Sequence, residues 1–158
     1  MMKIIRDTGR SFDLDNFLSM SLVAHLSTVA EDSPRDSPVW FYWREKIIWI
    51  IGTASDTFPD RIRKNSKCAI GIVDFNQHTG LFLHAGFRGT ATVKPFDEII
   101  ANQLLSRYLG TEIEKWDPRF KELDDSNVLI CFTPETVVVR DQSYVLPKSG
   151  EKCDCSKE

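Results

Sequence analysis

The sequence has no apolar run approaching the roughly 20 residues that a helical membrane span needs. Its start, MMKIIRDTGRSF, has neither the long apolar centre nor the small-residue cleavage site of a secretory leader. H-E-x-x-H, G-x-x-x-x-G-K-[ST] and G-x-G-x-x-G are all missing, and no nucleophile stands at a recognisable spacing from a base. Zinc-peptidase, P-loop and dinucleotide-fingerprint readings therefore fall away. An excess of positive charge is missing too: 20 lysines and arginines face 23 aspartates and glutamates, a formal net charge of −3. That excludes the broad basic field that nucleic acids and anionic membranes demand, although a local basic patch can still bind a small anion. Internal repeats and low-complexity linkers are absent. The expectation is a soluble, cytoplasmic protein.

Cysteine is scarce, with 4 in 158 residues. Cys68 and Cys131 lie inside apolar, strand-like runs, where reduced, buried thiols are the usual outcome. Cys153 and Cys155 form a C-x-C in the polar end KSGEKCDCSKE, and a metal there would need two further ligands that the tail does not supply. Residues 1–146 read as one domain, long enough to bury roughly two-thirds of its unfolded surface. Residues 147–158 read as a polar, disordered tail.

What is present is mostly strand. Asp13 or Asp15 can cap a short helix whose Leu14, Phe17 and Leu18 share a face. Residues 22–30 are strand-like, EDSPRDS is a turn-rich connection, and two dense strands, PVWFYW and KIIWIIG, meet at a tight Arg44-Glu45 turn. A short helix at 58–65 leads to a strand at 67–75. The clearest alternation is LFLHAGFRGTATV. Leu81, Leu83, Ala85, Phe87, Gly89, Ala91 and Val93 point one way, and Phe82, His84, Gly86, Arg88, Thr90 and Thr92 the other. Pro95 ends that strand. A helix at 96–109 follows, with Phe96, Ile99, Ile100, Leu104 and Tyr108 as its apolar stripe and Gly110 as its stop. Residues 114–123 add a helical turn or two, with Trp116 either a packing anchor or a pocket wall. Residues 127–140 close with strand. Six strands joined mostly by short turns, with few helices, predict a mainly β fold, an antiparallel barrel whose closure removes exposed edges.

The aromatic stretch poses a problem for a lone barrel. Along this strand Val39, Phe41 and Trp43 face one side while Trp40 and Tyr42 face the other. If one set fills the barrel, the other needs a second subunit or a planar ligand against it. Immediately downstream, GTASDTFPDRIRKN opens a helix with Asp56 or Thr57 as N-cap and Pro59 in the first turn. Thr53, Ser55 and Thr57 offer hydroxyl donors, and Arg61 and Arg63 offer charge and forked hydrogen bonds. This segment is either an anion-binding helix start or a capped surface helix with solvated basic residues; Asp56 and Asp60 oppose an anion. An aromatic wall beside it suits flavin mononucleotide (FMN), and a sugar phosphate fits as well. His25 and His78 read as structural or exposed.

The ordered set of these pieces, over residues 20–95, resembles the pyridoxamine 5′-phosphate oxidase-like proteins, the FMN-binding split barrels. The pieces are Leu26-Ser27-Thr28, Pro38 to Phe41, Trp49 to Thr53, Lys64-Asn65-Ser66 and Gly89-Thr90-Ala91. The helix PFDEIIANQLLSRYLG is similar to the family's next element. The resemblance implies a six-stranded split barrel that works as a homodimer with FMN at the subunit interface. Carried over by position, Val39, Trp40 and Phe41 would lie along the isoalloxazine. Thr53, Ala54, Ser55, Asp56, Thr57 and Phe58, with Arg61 or Arg63, would hold the phosphate. His84 would reach the ring from the long strand.

Two departures limit the transfer. Phe58 stands where many relatives have a phosphate-binding lysine. The C-terminal Trp and Arg-x-His that grip pyridoxal phosphate are also missing, which argues against vitamin B6 oxidation. An FMN-dependent oxidoreductase acting on a small molecule is the first expectation, since a cofactor can carry the chemistry that the motifs do not. A non-catalytic protein that stores or senses a flavin, a deazaflavin (F420) or haem is the alternative. A plain dimerisation module is a third.

Overall fold

The computed structural model describes residues 1–8 and 12–149, so the C-x-C pair lies outside the described residues. The elements run β1 (Lys3–Thr8), α1 (Leu14–Ser19), β2 (Ala24–Val29), β3 (Pro34–Val39), β4 (Tyr42–Arg44), β5 (Ile47–Gly52), α2 (Phe58–Lys64), β6 (Lys67–Asn76) and β7 (Leu81–Pro95). They continue with α3 (Glu98–Leu109), a 3₁₀ turn (Ile113–Lys115), α4 (Pro118–Lys121) and β8 (Val128–Asp141). No described helix is long and apolar enough to cross a membrane.

All strands join one sheet in the order β3-β2-β6-β7-β8-β5-β4, with β1 added to β8. Every pairing is antiparallel except β1 on β8. β8 pairs with β7 along its length and divides its other edge between β5 and β1. The mainly β, antiparallel expectation holds. The expected strand number and closure do not: the described residues form 8 strands rather than six, and the path ends at β3 and β4 without joining them.

Two misreadings account for the extra strands. The N-terminal KIIRDT is itself a strand, and PVWFYW is not one strand but two, because the chain leaves the ladder at Trp40 and Phe41. The polar residues 34–37, expected as turn, belong to β3 because β2 pairs with them. The turn between β4 and β5 sits one residue later than expected, on Glu45 and Lys46. Both have positive φ, 52° and 62°, as the two-residue hairpin of a right-twisted ribbon requires.

The long alternating strand is as its pattern predicts. Leu83, Ala85, Phe87 and Ala91 are buried against Phe41, Ile50, Ile70 and Phe132. At Gly89 the register shifts by a bulge opposite Pro134. A Cβ at Gly89 would come within 2.2 Å of the Thr133 carbonyl oxygen, so only glycine lets the strands meet there. Cys68 and Cys131 are buried and free, as expected. Burial pushes the Cys68 thiol up to about 11.

The helices obey their caps. Asp13 accepts from the Asn16 amide at 2.8 Å, and Asp97 accepts from the Ile99 and Ile100 amides. Gly110, at φ 86°, ends α3 as expected. Its buried stripe is rotated from the expected one. Ala101, Leu104 and Leu105 face inward, and Ile99 is 69% exposed.

That rotated face explains what covers the second side of the aromatic stretch. Phe41 is fully buried in the barrel core, with Val39 and Trp43 packed against the same core. Trp40 and Tyr42 pack instead on a separate cluster of Leu104, Leu105 and Trp116, supplied by α3 and the segment after it. The alternation across the stretch is real, but the chain covers that face with its own helix.

Candidate functional site

A cavity of about 760 Å³ opens between the barrel and this helical cluster, a volume in the usual range for small-molecule sites. Its walls come from four places: Asp36 to Trp40, Ile51 with the Thr53–Asp56 loop and Phe58, Leu104 and Leu105 of α3, and Arg119 to Asn127. Five consecutive residues, 36 to 40, line it. An alternating strand can offer five in a row only along its edge, not from one face. β3 is such an edge, since it ends the strand path and pairs with β2 alone. Its outer edge carries backbone groups that β2 does not pair, with Pro38 contributing a carbonyl and no N–H.

Trp40 forms the flat wall. Its ring stacks on Tyr108 at 4.6 Å and 3°, and on Phe120 at 5.5 Å and 28°. The break after Trp40 is held from behind. The Phe41 amide donates to Tyr108 Oη at 3.1 Å, and Tyr108 Oη donates to the Leu22 carbonyl at 2.7 Å. Arg107 donates to the carbonyls of Phe41, Leu18 and Met20 at 2.9, 2.9 and 2.7 Å. Burial lowers the Arg107 pKa and raises that of Tyr108. These two residues fix the position of Trp40 without lining the cavity.

At the other end, the Thr53–Asp56 loop is tied to itself. Asp56 Oδ2 accepts from the Thr53 amide at 2.7 Å and from Thr53 Oγ1 at 2.8 Å, and Ser55 Oγ lies 3.0 Å from Thr53 Oγ1. Thr57 occupies the N-cap position of α2 without a side-chain cap bond.

Of the residues singled out from sequence, the structure brings Val39, Trp40, Thr53, Ala54, Ser55, Asp56 and Phe58 to this cavity. The others stand elsewhere. Phe41 is in the barrel core, with its backbone engaged as above. Arg61 donates to Thr28 Oγ1 at 2.8 Å and to Thr57 Oγ1 at 2.7 Å, and with Lys64 it lines a separate groove. Arg63 pairs with Asp60 at 2.7 Å. His84 is half-buried on β7, between Val73 and its register partner Arg140. Burial and then the Arg140 charge lower its pKa. Trp116 is a packing anchor, buried, with its indole N–H on the Gly110 carbonyl at 2.8 Å.

Sequence reasoning did not single out the rest of the walls: residues 36–38, Ile51, Leu104 and Leu105, and Arg119, Phe120, Leu123 and Asn127. The aromatic pair in KWDPRF was the one available signal, and its active member is Phe120.

No protein-family model matches the chain, and no curated protein is similar to it. Solved structures are. The conserved hypothetical protein Rv2991 from Mycobacterium tuberculosis has a TM-score of 0.71 at 15% identity, covering 89% of this chain and 90% of that one. HutZ, the haem storage protein from Vibrio cholerae, has a TM-score of 0.63 at 16% identity, covering 82% and 93%. An FAD-binding protein from Mesorhizobium loti has a TM-score of 0.61 at 15% identity, covering 87% and 98%. Likeness at such identities concerns fold. The chain has the split-barrel fold of the pyridoxamine 5′-phosphate oxidase-like proteins, as the sequence resemblance implied.

Proposed function

We propose that this protein binds a flavin in the cavity between β3 and α3 and works as an oxidoreductase on a small molecule. One observation carries the reading: an open strand edge runs beside a flat aromatic wall. An isoalloxazine has apolar faces and one edge of alternating carbonyls and N–H. Trp40, Ile51 and Leu104 suit the faces, and the unpaired outer edge of β3, where Pro38 offers only its carbonyl, suits the edge. When bound, the flavin would supply the hydride or electron transfer; the chain would hold the ring, orient it and exclude water.

FMN is the form that the resemblance favours. The ring end of the cavity fits it well. For the phosphate, the chain offers the Ser55 hydroxyl and one rim guanidinium, Arg119; the Thr53 hydroxyl is given to Asp56, and Phe58 stands in place of a lysine.

A homodimer is part of the proposal. The outer face of the β6–β7 hairpin is flat at Gly71, where a Cβ would meet nothing within 4 Å, and Val73 and Phe75 stand 43% and 54% exposed. A second copy seated there would cover them.

Purified protein should be yellow, with the two visible flavin bands, and should release a flavin that mass spectrometry identifies. Colourless protein that no flavin reconstitutes rejects the reading, and a Soret band moves it to haem. A storage or sensing role is the second reading. It is favoured because the titratable cavity residues are engaged, Asp36 with His25 at 2.9 Å and Asp56 with Thr53. Bound flavin that NADH, NADPH and a range of acceptors never cycle would decide for that role.

A further inference from the structure

We infer that Asp56 is a specificity-determining residue: its carboxylate fills the seat that a ligand phosphate would take, so the cavity selects a neutral flavin ring with a polyol tail over the same ring carrying a phosphate monoester. This rests on the flavin reading above.

In a built phosphate seat, backbone and hydroxyl donors converge on ligand oxygens. Here the Thr53 amide and the Thr53 hydroxyl converge on Asp56 Oδ2, at 2.7 and 2.8 Å. Each of these groups has one proton to give, and the chain's own anion already receives both. A phosphate could take them only by displacing the carboxylate, which would then remain in the same loop beside a second negative charge.

The surrounding charges do not offset this repulsion. Asp36 also lines the cavity, its carboxylate held 2.9 Å from His25 Nδ1, and Arg119, exposed and 3.5 Å from Asp117, is the one basic residue on the described lining. Arg61 is turned to Thr28 and Thr57, and Phe58 is buried and apolar. A polyol reverses the argument. Its hydroxyls can donate to the Asp56 and Asp36 carboxylates and accept from Ser55, at no electrostatic cost.

The test is a fluorescence titration of apoprotein with riboflavin and with FMN at low salt. Riboflavin should bind about tenfold more tightly than FMN, and Asp56→Asn should bring the two within about threefold, chiefly by tightening FMN. Asp60→Asn, whose partner Arg63 lies outside the cavity, should leave the ratio at the wild-type value. If Asp56→Asn does not fold, the wild-type salt response replaces it: added salt should tighten FMN by screening and leave riboflavin unchanged. FMN binding as tightly as riboflavin in the wild type, or a ratio that Asp56→Asn leaves alone, overturns the assignment of Asp56 while leaving the flavin reading intact. Failure of both flavins to bind removes the two together.

Discussion

The molecule has two apolar clusters that share one stretch of chain, and they are built on different terms. The barrel core takes alternate residues from β2, β5, β6, β7 and β8, and its centre, with Phe41, Phe87 and Phe132, is sealed. The helical cluster takes Leu104, Leu105 and Trp116 and leans Trp40, Tyr42 and Phe120 on them half-exposed. Leu104 and Leu105 are 1% and 2% exposed, yet they line the cavity. The difference assigns places: the barrel holds the sealed core, and the helical cluster forms a wall of the cavity where a ligand is proposed to bind. Adjacent residues, Trp40 and Phe41, fall on opposite sides of that division.

The largest effect should come from the sealed side. Phe41→Ala removes a fully buried ring from the barrel and should lower stability by about 3–5 kcal/mol in denaturant unfolding. Ligand binding should survive in whatever fraction stays folded. A loss below about 1 kcal/mol would mean that the barrel is not sealed there.

Next is the joint between the clusters. Arg107→Met keeps the stem but leaves the carbonyls of Phe41, Leu18 and Met20 without their charged donor, and should cost about 2–3 kcal/mol. Because those bonds hold the break behind Trp40, flavin affinity should fall as well. Unaltered affinity in the folded variant would show that Trp40 keeps its position without the arginine.

Which parts of this division can be read from the residues follows from where each signal resides. β7 announces itself because its two faces meet different media, core and surface, and the alternation of Leu83, Ala85 and Phe87 with polar neighbours records that contrast. β3 does not. Pro34, Arg35 and Asp36 have no strand preference of their own, and they are a strand because β2 pairs with them at an edge where polar residues and proline are tolerated. β1 is equally silent, an edge addition in which Ile4 and Ile5 stay 42% and 46% exposed.

The cavity divides in the same way. Val39, Trp40 and the Thr53–Asp56 loop are near neighbours in sequence and could be singled out together. Leu104 and Phe120 reach the same wall from distant segments, and nothing in their spacing says so. Arg61 is drawn away from this cavity for a related reason: its partner Thr28 lies on β2, far from α2 in sequence.

Trp40→Ala tests the exposed side of the comparison. It removes a half-exposed ring and two stacking partners, and should cost about 1–2 kcal/mol of stability. Flavin affinity should nevertheless fall by at least about tenfold. The order of the two substitutions matters more than either value. A Trp40→Ala variant as destabilised as Phe41→Ala, with its affinity retained in the folded fraction, would abolish the division.

The smallest effect lies outside both clusters, at His84 on the outer face of β7. Its ring sits opposite Val73 on one side and Arg140 on the other, and burial followed by the Arg140 charge holds its pKa below the ordinary value of 6.5. The sign follows from proton counting. On acidification the unfolded chain protonates this histidine near 6.5, while the folded chain resists until a lower pH. Between those points the unfolded state binds more protons, so stability rises with pH. The contribution is complete above the unfolded value and is lost as pH falls through the window. Denaturant unfolding at pH 7.5 and pH 5, run on wild type and on His84→Gln, isolates it from His25 and His78. Wild type should lose more stability on acidification than the variant. Equal losses would mean that His84 titrates alike in both states, and that the outer face is open to water at the position where a second copy is proposed to pack.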